Sequence, residues 1–253
     1  MNSHGEGAAI RGAWVRGQKE MAEGELWIVN TRFSCLCTLH PDYSFVPRWQ
    51  PPFITALAAE DRCHLNGLSL VDGRPKYVTA LAETDMANGW RAEKAHGGCL
   101  MELSSGEVIS RGLSMPHSPR WHDGRLWLLE SGTGQLVLVD PASGLRQIVA
   151  ELPGFARGLA CCGPYAFVGL SKIRKTSAMD GVPLAERREQ LKCGVAVVDL
   201  RTGQVIGFLE FQTAVEEIFD VQLLLGQRYP EVIGFQQETI QHTFIVPRGL
   251  PGC

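Results

Sequence analysis

The chain has 253 residues, 45% of them apolar, and carries 24 basic against 27 acidic side chains for a net charge of −3. That supplies enough apolar chain for one large core, and a balanced charge without a basic stripe argues against nucleic acid as a partner. No apolar run approaches the roughly 20 residues that cross a bilayer, and the N-terminus lacks the apolar stretch of a secretory signal, so the expectation is a cytoplasmic protein with no membrane partner.

Residues 1–23 lack strand alternation and read as an N-terminal arm or the remnant of a blade. From there the period-2 pattern is legible. Strands are expected at Leu26–Asn30, Ser34–Leu39 and Phe45–Trp49, with His40-Pro41-Asp42 as a turn. Leu65–Val71 and Lys76–Ala82 flank Asp72-Gly73, and Gly98–Leu103 and Glu107–Gly112 flank Ser104-Ser105-Gly106. Next come Ser118–Trp121, Arg125–Glu130, Gln135–Asp140 and Arg146–Glu151, then Arg157–Cys161, Tyr165–Ser171, Gly194–Asp199 and Gln204–Phe211. Glu231–Phe235 and Thr243–Val246 add strand-like runs before a tail at 248–253.

Two phrases repeat in this series. The first is a glycine turn followed by an aromatic-bearing strand, whose centres Trp27, Tyr77, Trp127 and Phe167 stand 50, 50 and 40 residues apart. The second is an outer hairpin ending on Gly106, Gly144 or Gly203. Repeats of this length are the signature of one small antiparallel sheet per unit. The fold expected is an all-β β-propeller of about five to six blades over residues 24–247, with the N-terminal blade the one expected to be incomplete. Such a gap would leave an open blade edge available for self-association.

Two polar stretches, Glu83–Gly97 and Lys172–Lys192, interrupt the repeat between second and third strands. They read either as solvated excursions or as a lid over one mouth of the channel. The eight cysteines read as a reduced, mostly packed set in a chain with no sign of export. The tryptophans read as blade packing, except Trp90 inside its polar insertion.

First strands line a propeller channel, so the polar residues just upstream of each glycine turn should converge. These are His64 and Asn66, then His117, then Arg157, with Glu217 and Asp220 in the last unit, and Asn66, His117 and Arg157 take equivalent positions. Three chemistries are open to them. Arg157 with Glu217 or Asp220 can form a structural ion pair. His64, His117 and Asn66 with an acidic group, Asp220 being the candidate, can hold a divalent metal ion. Arg157 can instead clamp the anionic group of a small polar molecule.

The run Asn66-Gly67-Leu68-Ser69-Leu70-Val71-Asp72-Gly73-Arg74-Pro75-Lys76-Tyr77-Val78-Thr79 resembles one blade of the regucalcin and gluconolactonase propellers. The resemblance implies a metal-ligand role for Asn66 and, as an alternative function, a metal-dependent hydrolase or lactonase. The runs Leu26–Leu36 and Met115–Trp127 resemble, across nearly the whole chain, a bacterial family of conserved hypothetical proteins. That family is a domain of unknown function sometimes found with tetratricopeptide repeats, whose members are longer at the N-terminus. It implies no activity, so the leading expectation is a propeller that binds a small polar molecule or a protein at the channel mouth.

Overall fold

A computed structural model describes residues 19–22, as backbone, together with 25–173 and 179–228. In the unit spanning residues 1–222, the described residues form four antiparallel sheets, each a four-stranded meander. Blade 1 comprises β1 (Lys19–Ala22), β2 (Glu25–Asn30), β3 (Cys35–Thr38) and β4 (Val46–Trp49). Blade 2 comprises β5 (Leu65–Val71), β6 (Arg74–Ala80), β7 (Gly98–Glu102) and β8 (Val108–Leu113). Blade 3 comprises β9 (Pro116–His122), β10 (Arg125–Glu130), β11 (Gln135–Val139) and β12 (Arg146–Glu151). Blade 4 comprises β13 (Phe155–Cys162), β14 (Tyr165–Ser171), β15 (Gly194–Asp199) and β16 (Val205–Glu210).

The first strands are mutual neighbours, β1 beside β5, β5 beside β9 and β9 beside β13, which is the radial arrangement of propeller blades. The sheets do not close into a ring among the described residues. β1 lies in the stretch that reads as an arm or remnant, and it pairs with β2 from Lys19↔Ile28 to Ala22↔Glu25, so blade 1 has all four strands. Past blade 4 the chain lays residues 216–222 along the inner end of that blade, where Lys172 N donates to Glu216 O at 2.9 Å and Ile218 N to Ser171 Oγ at 2.8 Å. Residues 223–253 form a separate unit, in which Gln227 N donates to Leu224 O at 3.1 Å. The strand-like runs expected at 231–246 lie outside the described residues.

Local chemistry accounts for both repeated phrases. Asp72-Gly73 has φ of 51° and 74°, and Asp123-Gly124 has φ of 50° and 69°. Both residues are thus left-handed, as a two-residue hairpin turn with the twist of its strands requires. In the outer hairpins the acidic residue organises the turn. Asp140 Oδ1 accepts from Ala142 N at 3.1 Å, and Asp199 Oδ1 accepts from Arg201 N at 2.9 Å. The closing glycines meet the preceding blade: a Cβ on Gly144 would overlap the carbonyl of Ile109 in β8, and one on Gly203 the carbonyl of Val149 in β12. These two outer turns are therefore docked on their neighbours through bare backbone, whereas Gly106 meets the ring of Pro52.

That docking separates two costs of substitution. Gly124→Ala meets nothing within 4 Å and should lose only about 1 kcal/mol of stability for its left-handed φ. Gly144→Ala adds an overlap with backbone and should lose about 3 kcal/mol, and urea midpoints of the two variants measure the difference.

Asp199 also accepts from Arg201 Nη2 at 2.6 Å and Nε at 2.9 Å. These bonds hold its carboxyl at about 2, against an ordinary 3.8. A depressed folded pKa stabilises above the unfolded value and is lost as pH falls through the folded one. Stability should therefore decline between about pH 4 and pH 2, and Asp199→Asn should flatten that decline in urea titrations across this range.

The blades pack face to face. Val29 and Leu36 of blade 1 meet Leu65, Leu68, Val78 and Met101 of blade 2. Tyr77 and Leu100 meet Leu126, Leu128 and Val137 across the next interface, and Trp127 and Leu136 meet Leu159, Val168 and Ala196 across the last. The seven described cysteines are free thiols, and Cys35, Cys37, Cys63, Cys99 and Cys193 are buried. Burial pushes the Cys63 thiol up to about 12, so it packs as a small apolar group.

In an antiparallel meander, connections from second to third strand emerge at the same end as connections between blades. Both polar insertions therefore arrive at one mouth, and there they share a second apolar core. Leu81 and Ala82, just before the first insertion, and Trp90 within it pack with Ile173, Val182, Leu184 and Leu191 from the second, over Met115 and Phe155. The first insertion carries helix α1 (Trp90–Glu93), and the second a 3-10 helix at Pro183–Gln190 begun by its proline. Backbone bonds join this cap to the blades, from Leu184 N to Gly132 O at 2.8 Å and from Met115 N to Lys94 O at 3.2 Å. Among the described residues no helix is long and apolar enough to cross a membrane.

Candidate functional site

The inner strands of blades 2, 3 and 4 each carry one residue more than their partners near the capped end. Pairing runs Leu65↔Ala80 then Gly67↔Thr79 in blade 2, Leu129↔His117 then Trp127↔Arg120 in blade 3, and Ala156↔Leu170 then Leu159↔Val168 in blade 4. Such bulges re-aim side chains and recur beside binding sites. Asn66, His117 and Arg157 sit at or beside these three irregularities. Two of them require left-handed backbone, at Ser118 with φ of 52° and Gly158 with φ of 83°.

Asn66 bridges blades. Its Nδ2 donates to Pro116 O at 2.9 Å and its Oδ1 accepts from Thr79 Oγ1 at 2.7 Å. His117 is buried, with Nδ1 at 2.9 Å from both Met115 O and Ser131 Oγ and its ring edge-on to Phe155. Ser131 donates its own proton to Ala156 O at 2.5 Å, so this serine orients the histidine and is not set up as a nucleophile. Burial, then the Arg157 charge and the nearby His64, hold the His117 imidazole well below its ordinary 6.5. It is neutral at pH 7, with Nδ1 as donor and Nε2 as acceptor.

His64 belongs to a second assembly. Its Nδ1 lies 2.9 and 3.0 Å from the two carboxylate oxygens of Asp61, and its ring meets Trp90 at 4.3 Å between centroids, tilted by 42°. Trp90 Nε1 donates to Asp61 Oδ2 at 3.1 Å. The Arg157 guanidinium stands over the Phe219 ring at 4.6 Å. Residues 216–222 approach closely, since a Cβ on Gly158 would sit 2.5 Å from Val221 N. Glu217 is half-buried in this segment. Asp220 is exposed, and its carboxylate accepts from Val221 N and Gln222 Nε2, both at 2.9 Å.

The structure thus sets Arg157 and His64 each within electrostatic reach of His117, with Asn66 beside His117 through Pro116 and Glu217 and Asp220 on the segment flanking Gly158. Among the described residues no three His, Cys, Asp or Glu side chains are grouped to hold a metal ion. Two surface clefts, of 610 Å³ beside Pro52 and Arg111 and of 540 Å³ between His96 and Arg188, are not lined by these residues.

Three neighbours were not legible in the chain, Asp61, Ser131 and Arg120, whereas Trp90 stood out as the tryptophan set apart in its polar insertion. Asp61 and His64 are three residues apart, a spacing that hints at contact only once the turn is known. Arg120 donates from Nε to Leu159 O at 2.9 Å, and from Nη1 to Pro119 O at 3.1 Å and Leu68 O at 3.4 Å. These carbonyls are the equivalent positions two residues beyond Asn66, His117 and Arg157, so one guanidinium ties three inner strands together.

A family model described as "Domain of unknown function (DUF4915)" matches residues 15–233. No curated protein matches the chain. Among solved structures, the computationally designed Ika4 protein is 14% identical with a TM-score of 0.37, covering 63% of this chain and 79% of its own. The designed Ika8 protein is 12% identical with a TM-score of 0.43, covering 81% and 51%. A catalytically inactive virginiamycin B lyase from Staphylococcus aureus, solved with quinupristin, is 11% identical with a TM-score of 0.44, covering 77% and 54%.

Proposed function

The chain belongs to the family described as Domain of unknown function (DUF4915), and we propose that it binds a small polar molecule bearing a carboxylate at the capped mouth of the propeller. The observation that carries this reading is the half-buried Arg157 close enough to His117 to lower its pKa, with His64 also near that ring and both imidazoles anchored through Nδ1. Arg157 supplies the cation and a planar fork suited to a carboxylate. His117, held neutral, and His64 offer Nε2 as acceptors for hydroxyl groups, which favours a hydroxy or oxo acid over a plain fatty acid. Free cysteines at seven described positions suit a reducing compartment, in keeping with a cytoplasmic location.

Titration calorimetry with succinate, malate, citrate and glycerol tests the reading. Carboxylates should bind and glycerol should not. Arg157→Met should weaken binding at least tenfold, the effect of losing one charge-assisted bond worth about 1.5–3 kcal/mol. Equal affinity of the variant and the parent protein would overturn it.

A further inference from the structure

The aromatic centre of each repeat closes a junction between blades. Trp27 packs among residues of blade 2, Tyr77, 4% exposed, among residues of blade 3, and Trp127, 2% exposed, among residues of blade 4. Each of these rings stands on the sheet face turned to the next blade, and Phe167 is the fourth of the series. Strand pairing puts Phe167 on one face of blade 4 with Ala160 and Val197, and puts Val195 there with Gly169 and Leu209. The alternate residues Ala166, Val168, Leu170, Ala196 and Val198 take the other face, against blade 3. At the inner end of the outward face Ile218 and Val221 stand against Gly169. Further out, Phe167, Val195 and Val197 are half-buried, Tyr165 is 36% and Leu209 57% exposed, and among the described residues no blade follows.

We propose that this face binds the same face of a second copy of the chain, blade 4 on blade 4 about a two-fold axis. At the three junctions inside the chain, what an aromatic-centred face receives is another blade of the same repeat. A second copy has two terminal blades to offer. The face of its blade 1 turned away from blade 2 is already closed, because Ile28, Cys35 and Cys37 are at most 1% exposed with Phe33 and Phe45 packed against them. Blade 4 is left, and a patch that binds itself gives a closed dimer instead of a growing filament. The charge of the face also suits a copy. Asp199 is the one charged residue that β14, β15 and β16 place on it, and Arg201 pairs with that carboxylate at 2.6 Å. Two such faces therefore meet without net repulsion, and a strongly charged partner finds nothing to pair with.

Sedimentation velocity of the full chain from about 5 to about 500 μM, a range that brackets micromolar affinity, tests the proposal. One blade face is smaller than the interface of a permanent dimer, so the mass should rise from one chain to two across this range and stop there. Leu209→Arg puts a charge on each side of the contact at a position already exposed in the single chain, and should raise the dimer Kd at least tenfold. Leu145→Arg, 72% exposed in an outer turn of blade 3, should leave it unchanged. Melting temperatures at the lowest concentration, where the parent is one chain, should agree within a few degrees, which separates lost association from lost folding. Hydrogen exchange should slow with concentration in β14, β15 and β16 and stay constant in β2 and β3. A parent that remains one chain throughout, a mass that climbs past two, slowing in β2 and β3 as well, or a Leu209→Arg variant that pairs like the parent would each overturn the proposal. Slow exchange in β15 and β16 that ignores concentration in a monomer would also overturn it, by showing the face covered from within the chain.

Discussion

Replacing Arg120 with methionine should lower the unfolding free energy by about 3 kcal/mol, more than any change at the proposed ligand groups. The side chain donates to carbonyls of β5, β9 and β13 at equivalent heights, so its removal leaves three inner-strand acceptors short of a donor at once. Bonds from a charged donor contribute about 1.5–3 kcal/mol each where water is scarce. The half-buried setting of Arg120 reduces their sum. Methionine keeps the length and apolar stem, so the loss reports the guanidinium and not packing. Arg120→Lys should recover little, because an ammonium cannot fork to carbonyls on different strands. Urea denaturation at pH 7 measures both, and a methionine variant within 0.5 kcal/mol of the parent, a surface-like effect, would show that apolar contact between blades alone holds the inner ring.

Trp90→Ala should cost about 3–5 kcal/mol, the usual range for deleting a buried aromatic ring. The indole is 2% exposed, makes a tilted ring contact with His64 and belongs to the small core shared by the two insertions. Its loss should therefore loosen both insertions together. Hydrogen exchange should quicken in residues 81–97 and 179–192 while β10 and β11 stay protected. Trp90→Phe retains most of the packing but removes the donor to Asp61, and should cost about 1 kcal/mol, the net worth of one hydrogen bond. Comparing the two separates the support of the Asp61–His64 pair from the packing of the cap.

The strands were legible because their determinants are local. Leu65–Val71, Arg125–Glu130, Arg146–Glu151, Tyr165–Ser171 and Gly194–Asp199 fall where alternation and flanking turns place them. β1 was not legible, since four residues of Lys-Glu-Met-Ala carry no alternation and become a strand only by pairing with β2. The cap was read as polar from its charged residues. Its buried members, Trp90, Ile173, Val182, Leu184 and Leu191, are spread over two insertions far apart in the chain, and neither insertion alone has a periodic apolar face.

Of the candidate site, the equivalence of Asn66, His117 and Arg157 could be counted from the glycine turns, because a repeat carries its register along the chain. What each residue does could not. Asn66 is tied to Pro116 and Thr79, His117 to Met115 and Ser131, and His64 to Asp61, and these partners come from other blades, linkers and strands.

The sequence by itself determined the all-β architecture, its glycine turns and the register that Asn66, His117 and Arg157 share, since hairpin chirality and period-2 burial act over a few residues. Tertiary structure alone decided which of those groups are neutral, which are anchored and which face one another. Proton placement and charge depend on burial and on partners brought together across blades, and a linear pattern does not encode either.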